Sequence, residues 1–110
     1  MAKIDVVIAN GESLSGAVQL GGAELIGVVM PAAWTAANLT LQVSADGTTF
    51  NNLYDVDGNE VPITAAASRY INLLPINFVG FQWIKVRSGT SGTPVAQGAA
   101  RTIGIVAEDL

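Results

Sequence analysis

The segment that most constrains the fold is residues 38–44, in which apolar and polar side chains alternate. A period of two residues is typical of a β-strand with one buried and one exposed face. Asp46 and Gly47 follow, and an Asp-Gly pair is typical of a two-residue hairpin turn, which needs positive φ angles. Phe50 then returns to the apolar face, so the segment predicts an antiparallel hairpin. The apolar residues of its first strand are Leu39, Leu41 and Val43.

Similar strand signals recur along the whole chain, about 8–12 residues apart and separated by turn-forming residues. No segment of useful length has the period of a helix. Two stacked antiparallel sheets would bury one face of each strand. The sequence therefore predicts one all-β domain over residues 1–110, an antiparallel β-sandwich that is jelly-roll-like and has about eight strands. The predicted strands are residues 3–9, 16–20, 24–30, 38–44, 49–54, 60–64, 69–73, 81–88 and 100–107.

Composition argues against the common catalytic chemistries. The chain has no cysteine and no histidine, so it lacks thiolate ligands and the side chain most often used as general base or zinc ligand. Among the nine acidic residues, only Glu24 and Glu60 lie next to predicted strand cores, which does not favour the paired carboxylates of a glycosidase. We therefore expect no enzyme activity, no cofactor and no metal site.

The low charge of the chain predicts that part of its surface is covered by protein. Charged residues make up 13% of the chain and the formal net charge is −4, whereas a typical soluble domain has about 25% charged residues. Depletion of charge is typical of subunit interfaces, although a surface rich in Ala, Gly, Ser and Thr is an alternative explanation. A net negative chain also lacks the basic surface that nucleic-acid binding needs, so we expect no nucleic-acid partner.

The chain has one uncharged span, residues 25–45, that is about long enough to cross a bilayer. Pro31 and the alternation that follows it indicate two strands and a loop instead, so we expect no transmembrane helix and no membrane partner. The apolar stretch in residues 1–8 is too short for a signal peptide. These features predict that the protein starts in the cytoplasm of the cell that makes it.

An acidic turn has part of the pattern of a calcium site. Asp55, Asp57 and Asn59 have the one-three-five spacing of an EF-hand loop. Gly58 is at the fourth position instead of the sixth, and the twelfth position is Ala66 instead of Glu. We favour an acidic hairpin turn.

Three polar or aromatic residues share one face of the predicted strand 81–88. Trp83, Lys85 and Arg87 could form a basic-aromatic patch for an acidic partner. The alternative that we favour is a sheet edge whose charges prevent strand-to-strand aggregation.

Two parts of the sequence resemble small virion proteins of tailed bacteriophages and their prophage relatives. The first is residues 31–50, PAAWTAANLTLQVSADGTTF, and the second is residues 83–91, WIKVRSGTS, followed by PVAQ at residues 94–97. The resemblance implies a β-sandwich that decorates or spikes a capsid, or forms part of a fibre or tail, commonly as a trimer. No catalytic or ligand residue carries over from it.

These observations predict a structural virion protein of a tailed phage, a capsid decoration, cement or head-spike protein. We expect it to be made in the cytoplasm of the host bacterium, to self-associate as a trimer and to bind the major capsid protein or other virion proteins. The terminal segments 2–9 and 102–110 are predicted to make inter-subunit or capsid contacts through Ile4, Val6, Ile8, Ile103 and Ile105. The alternative is a carbohydrate- or host-receptor-binding module of a phage tail or fibre. Trp34 and Thr90 would then contact the glycan or partner, whereas Trp34 could instead plug the end of the sandwich.

Overall fold

A computed structural model describes residues 1–108, which form two antiparallel sheets of four strands each. One short 3-10 turn, η1, spans Pro75–Asn77. The prediction of an all-β sandwich with about eight strands is confirmed. The strands are β1 Ala2–Ile8, β2 Val18–Gln19, β3 Glu24–Val29, β4 Leu39–Ser44, β5 Asn51–Asn52, β6 Tyr70–Asn72, β7 Trp83–Ser88 and β8 Arg101–Glu108.

The strand order is that of a jelly roll. The first sheet has the order β1-β8-β3-β6 and the second has the order β2-β7-β4-β5. Strands 1 and 8, 2 and 7, 3 and 6, and 4 and 5 are therefore antiparallel neighbours, as in one long hairpin that has been rolled into two sheets. The sandwich has four edge strands, which are β1, β6, β2 and β5.

The core lies between the inner faces of the two sheets. Alternate residues of β4 and β7 supply one side of it, and alternate residues of β8 supply the other, as the two-residue period predicts. The most deeply buried core side chains include Ile8, Leu25, Leu39, Ile84, Ile103 and Ile105.

Within residues 1–108, no helix has the length and apolar character needed to span a membrane.

The connection from β4 to β5 is not the two-residue hairpin that Asp46-Gly47 predicts. Val43 pairs with Asn51 and β4 ends at Ser44, so residues 45–50 form the connection, and only Gly47 of the Asp-Gly pair has a positive φ, at 82°. The carboxylate of Asp46 accepts hydrogen bonds from the amides of Thr48 and Thr49 at 2.8 and 2.9 Å. Such side-chain bonds offer the backbone an alternative to a tight hairpin.

The same hydrogen bonds change the chemistry of the turn and the position of the next strand. The Thr49 and Thr48 amides lower the pKa of the Asp46 carboxyl below its ordinary value. A two-residue turn would have paired Val43 with residue 50, and a register shift of one residue reverses the face of every side chain that follows. Phe50 accordingly lies outside the core, with the Lys85 Nζ 4.4 Å from its ring centroid.

The predicted strand over residues 60–64 is not formed as a strand. This segment makes only isolated bridges, between Tyr54 and Glu60 and between Leu39 and Ile63. The strand predicted over residues 49–54 shortens to β5, and β7 begins at Trp83, two residues later than predicted. The side of the sandwich next to β5 and β6 is therefore built from short strands and loops.

Candidate functional site

Large apolar side chains are exposed on the side of the sandwich next to β5 and β6. Val56 is 100% exposed, Ile76 is 85% exposed and Leu74 is 70% exposed. Val79 and Tyr54 are each about half exposed. We call the region formed by these five side chains the apolar surface.

Two adjoining grooves lie beside the apolar surface. The first has a volume of about 310 Å³ and lies between the segment 61–64 and the end of β6. The second has a volume of about 370 Å³ and lies between the turn that carries Tyr54 and Val56 and the segment that carries Ile76 and Val79. Asp55, Val61 and Asn77 line both grooves, so the two are continuous with each other.

The exposure of Leu74 and Ile76 follows from how the segment after β6 is anchored. Pro75 begins η1 and has no amide proton to donate. Phe78 then enters the core at 4% exposure, and its carbonyl accepts a hydrogen bond from the Leu25 amide at 3.0 Å. This anchor joins the segment to the start of β3, while Leu74 and Ile76 on either side of Pro75 remain in solvent.

The acidic turn holds Val56 at its tip. The Asp55 carboxylate accepts hydrogen bonds from the amides of Asp57 and Asn59 at 2.9 and 3.0 Å. The spacing that suggests calcium binding is therefore used within the turn itself. Among residues 1–108, no three acidic side chains come together as a group that could hold a metal ion.

The chemistry of the apolar surface fits contact with another protein. The grooves are lined mainly by apolar side chains, with Thr64, Asn72 and Asn77 as further polar residues, and the Asp55 carboxylate is occupied by its own turn. The five side chains together expose an area on the order of several hundred Å², which is the size of the largest patch on a typical monomer and is often functional.

The two residues predicted for glycan or partner contact lie on neighbouring loops. Trp34 is half-buried against the core and its indole Nε1 donates a hydrogen bond to the Ala37 carbonyl at 3.0 Å. Thr90 is exposed and its Oγ1 accepts a hydrogen bond from the Thr93 amide at 3.0 Å. The loops meet where the Gly89 amide donates to the Asn38 carbonyl. Contact of Trp34 and Thr90 with a glycan stays a prediction.

A Trp34→Ala variant separates the two interpretations of this tryptophan. Because the indole packs against the core, we expect the variant to lose about 2 kcal/mol of unfolding free energy, roughly half the cost of truncating a fully buried Trp. Urea denaturation measures this loss, and a glycan array measures binding by both proteins. A glycan that binds the native protein and not a correctly folded variant would support the glycan-binding alternative.

Four of the five residues predicted for subunit contacts lie in the core of the chain itself. Val6, Ile8, Ile103 and Ile105 are at most 5% exposed, because β1 and β8 turn these side chains towards the second sheet. Ile4 is half-buried. A contact with another subunit at these strands could therefore involve the backbone edge of β1 and the side chain of Ile4. The four buried side chains pack within the chain's own core and would not touch the other subunit. Residues 109–110 of the predicted C-terminal contact lie outside the described residues.

Arg87 is in a different environment from the one predicted. β7 lies between β2 and β4 and is not an edge strand, and Arg87 is only 7% exposed. Its Nη1 lies 3.4 Å from the Glu60 carboxylate and its Nη2 donates to the Asn52 Oδ1 at 2.6 Å. The interpretation as a charged sheet edge is therefore wrong, because Arg87 belongs to a buried ion pair on the covered outer face of the second sheet.

Gln97 is a buried polar residue that the sequence pattern did not single out. It is 1% exposed, and its Nε2 donates to the Ser88 Oγ at 2.7 Å and to the Thr35 carbonyl at 3.0 Å. Its Oε1 accepts from the Thr35 amide and from Arg101. Gln97 thereby joins the Trp34 loop to β7 and β8, and a lone Gln in a polar loop gives no sequence signal for that role.

No protein-family model, curated protein or solved structure matches this chain. A functional proposal therefore depends on the geometry of the chain and on the resemblance of its two segments.

Proposed function

We propose that this chain is a structural protein of a tailed-phage virion, a capsid decoration, cement or head-spike protein that self-associates as a trimer and binds the head shell. The observation that carries the proposal is the apolar surface. Exposed apolar side chains that cluster beside a groove are typical of sites of contact with another protein. The resemblance of residues 31–50, 83–91 and 94–97 to virion proteins supplies the setting.

The shape of the apolar surface supports a ring of identical subunits. Leu74 is exposed at the first groove, which is lined partly by Ile63 and Phe78, and Ile76 is exposed at the adjoining second groove. A contact of these projecting side chains with the groove of a second copy joins two different patches, and such heterologous contacts close into rings when the rotation allows it. A trimer is the smallest ring that heterologous contacts can close, because a two-fold dimer joins identical patches.

The fold and the composition are compatible with this role. Jelly rolls occur in viral capsid proteins, although they also occur in lectins, so the fold alone does not select a function. The low content of charged residues, 13%, agrees with subunit interfaces that exclude charge from their centre. Together with the apolar surface, these properties favour assembly over catalysis.

We expect an Ile76→Asp variant to lose self-association. Ile76 is 85% exposed, so the substitution leaves the core of the chain intact, but it would bury a carboxylate at the subunit contact. Light scattering after size exclusion, at low micromolar concentration, should give a mass for the variant that is about one third of the mass of the native protein. Val7→Asp is the matched control, because Val7 is a half-exposed apolar residue of β1, outside the apolar surface.

Electron microscopy with an immunogold label tests the assignment to the head shell. The label should decorate the heads of phage particles from a lysate of the host that carries the gene. A native protein that stays monomeric at high micromolar concentration would contradict trimer formation. Particles without label on their heads would contradict the head location.

A further inference from the structure

The outer edge of β1 is the longest unpaired strand edge in the described part of the chain. β1 has seven residues, whereas the other edge strands β6, β2 and β5 have three, two and two. All seven residues of β1 pair with β8 on one side, and within residues 1–108 no strand pairs with its other side. The free N–H and C=O groups of such an edge can pair with another strand.

The charges on β1 do not block this edge. A lysine on an edge strand often projects into solvent and prevents pairing. Lys3 instead leans over β8, because its Cε lies 2.5 Å from the position that a Cβ on Gly104 would occupy. Its Nζ forms an ion pair with Asp5 of the same strand at 2.9 Å. The backbone edge beyond Lys3 and Asp5 remains open.

The order of residues in β1 favours one register with a second copy of the strand. Lys3 and Asp5 lie on the outer face and Ile4 lies between them on the inner face. In an antiparallel pair centred on Ile4, the two Ile4 side chains are opposite each other and each Lys3 is opposite Asp5 of the second copy. A pair centred on Asp5 or on Lys3 would place like charges directly opposite each other, which is destabilising. A pair centred on Val6 would place Asp5 opposite Val7 and Lys3 opposite Ala9, so neither charge would face an opposite charge.

The apolar side chains on the inner face of β1 are also compatible with pairing to a second copy in this register. Ile4 is half-buried while Val6 and Ile8, further along the same face, are buried. The exposed part of Ile4 would be covered by Ile4 of the second copy. Ala2 would then lie opposite Val6 of that copy, so that every inner-face pair in this register is apolar.

From this arrangement we propose that two copies of the chain pair through their β1 edges, antiparallel and with the two-fold axis at Ile4. The first sheet of one copy, β1-β8-β3-β6, then joins the first sheet of the other copy to form one continuous sheet of eight strands. This contact does not depend on the proposed virion role. It is separate from the apolar surface, so it would join two trimers where the apolar surface forms each trimer.

Cysteine cross-linking tests the contact, because the chain has no cysteine of its own. Directly opposed residues of antiparallel strands have Cα atoms about 4.5–5.5 Å apart, which is within the range of a disulfide. An Ile4→Cys variant should therefore form a disulfide-linked dimer on mild oxidation. Val7→Cys is the control on the same strand, because in this register it lies about 20 Å from its copy.

A second pair of variants keeps Ile4 intact. Lys3→Cys and Asp5→Cys chains should each fail to cross-link alone, because residues diagonally placed across a pair lie about 7–8 Å apart. An equimolar mixture of the two should cross-link, since residue 3 of one copy lies opposite residue 5 of the other. Both positions are about half exposed, so neither substitution disturbs the core.

Charge exchange tests the register itself. With Ile4→Cys present, Lys3→Asp places two pairs of carboxylates opposite each other and should reduce the rate of cross-linking about tenfold. Adding Asp5→Lys restores opposite charges in both pairs and should restore the rate. The same cross-linking should persist with Ile76→Asp added, which distinguishes this contact from the proposed trimer.

Three results would overturn the proposal. The first is an Ile4→Cys dimer that forms no faster than the Val7→Cys dimer. The second is a mixture of Lys3→Cys and Asp5→Cys chains that stays monomeric under oxidation. The third is a charge-exchanged variant that does not recover the rate lost in Lys3→Asp.

Discussion

An Arg87→Met variant should lose about 3–5 kcal/mol of unfolding free energy, which is the usual cost of removing one member of a buried ion pair. The guanidinium is the charged partner of Glu60, whose side chain is only 15% exposed. Without Arg87, the carboxylate keeps hydrogen bonds from the Ser91 amide but has no positive charge beside it. The Asn52 Oδ1 and the Thr40 Oγ1 also lose the hydrogen bonds that they accept from the guanidinium of Arg87.

Urea denaturation of four proteins would isolate the ion pair from the rest of the change. These are the native protein, Arg87→Met, Glu60→Met and the variant with both substitutions. Replacing both charges by apolar side chains often costs less than removing one, so the double variant should lose less unfolding free energy than Arg87→Met alone, and the two single losses should not add. Arg69→Met is the matched control, because Arg69 is exposed and, among the described residues, its side chain makes one hydrogen bond, from Nε to the Ala67 carbonyl.

Additive losses in the four proteins would contradict the interpretation of Glu60 and Arg87 as a coupled pair.

The ion pair also holds two loops against the second sheet. Glu60 lies in the segment after the acidic turn, and Ser91 lies in the loop after β7, so the pair fastens both to the outer face of the second sheet. Limited proteolysis of these loops should therefore be faster in Arg87→Met than in Arg69→Met.

The sandwich could be predicted from the sequence because its strands obey a local rule. Leu39 and Leu41 alternate with polar residues and enter the core together, as the period of a strand requires. The turn at Asp46 could not be predicted from the Asp-Gly pair alone. Its geometry depends on which amides the carboxylate binds, and the competing hydrogen bonds decide between a hairpin and a longer loop.

The environments of Arg87 and of the apolar surface depend on contacts that are distant in sequence. Glu60 is 27 residues from Arg87, and no spacing rule connects them. Val56 and Ile76 stand among turn-forming residues, where a lone apolar side chain is normal and carries no signal. Only the fold brings these two residues to the same groove. The sequence therefore predicts which residues build strands better than it predicts which residues meet across loops.

A Gly89→Ala variant should lose about 2–5 kcal/mol of unfolding free energy from backbone strain and overpacking together. Gly89 has a φ of 89°, a region that side chains other than glycine rarely adopt. A Cβ at this position would lie 2.5 Å from the Thr93 carbonyl oxygen and 2.8 Å from the Val95 amide nitrogen. Both are backbone atoms, so the loop must move to relieve the contact.

Gly92→Ala is the matched control in the same loop. A Cβ on Gly92 meets no atom within 4 Å, and its φ lies outside the positive region. We expect this variant to be neutral or more stable by about 0.4–1 kcal/mol, because alanine restricts the unfolded chain. If the two variants unfolded at the same urea concentration, the close approach at Gly89 would not limit stability. A large loss in Gly89→Ala alone would show that the positive φ and the close approach of the backbone at Gly89 both constrain the loop that carries Ser91, whose amide donates to Glu60.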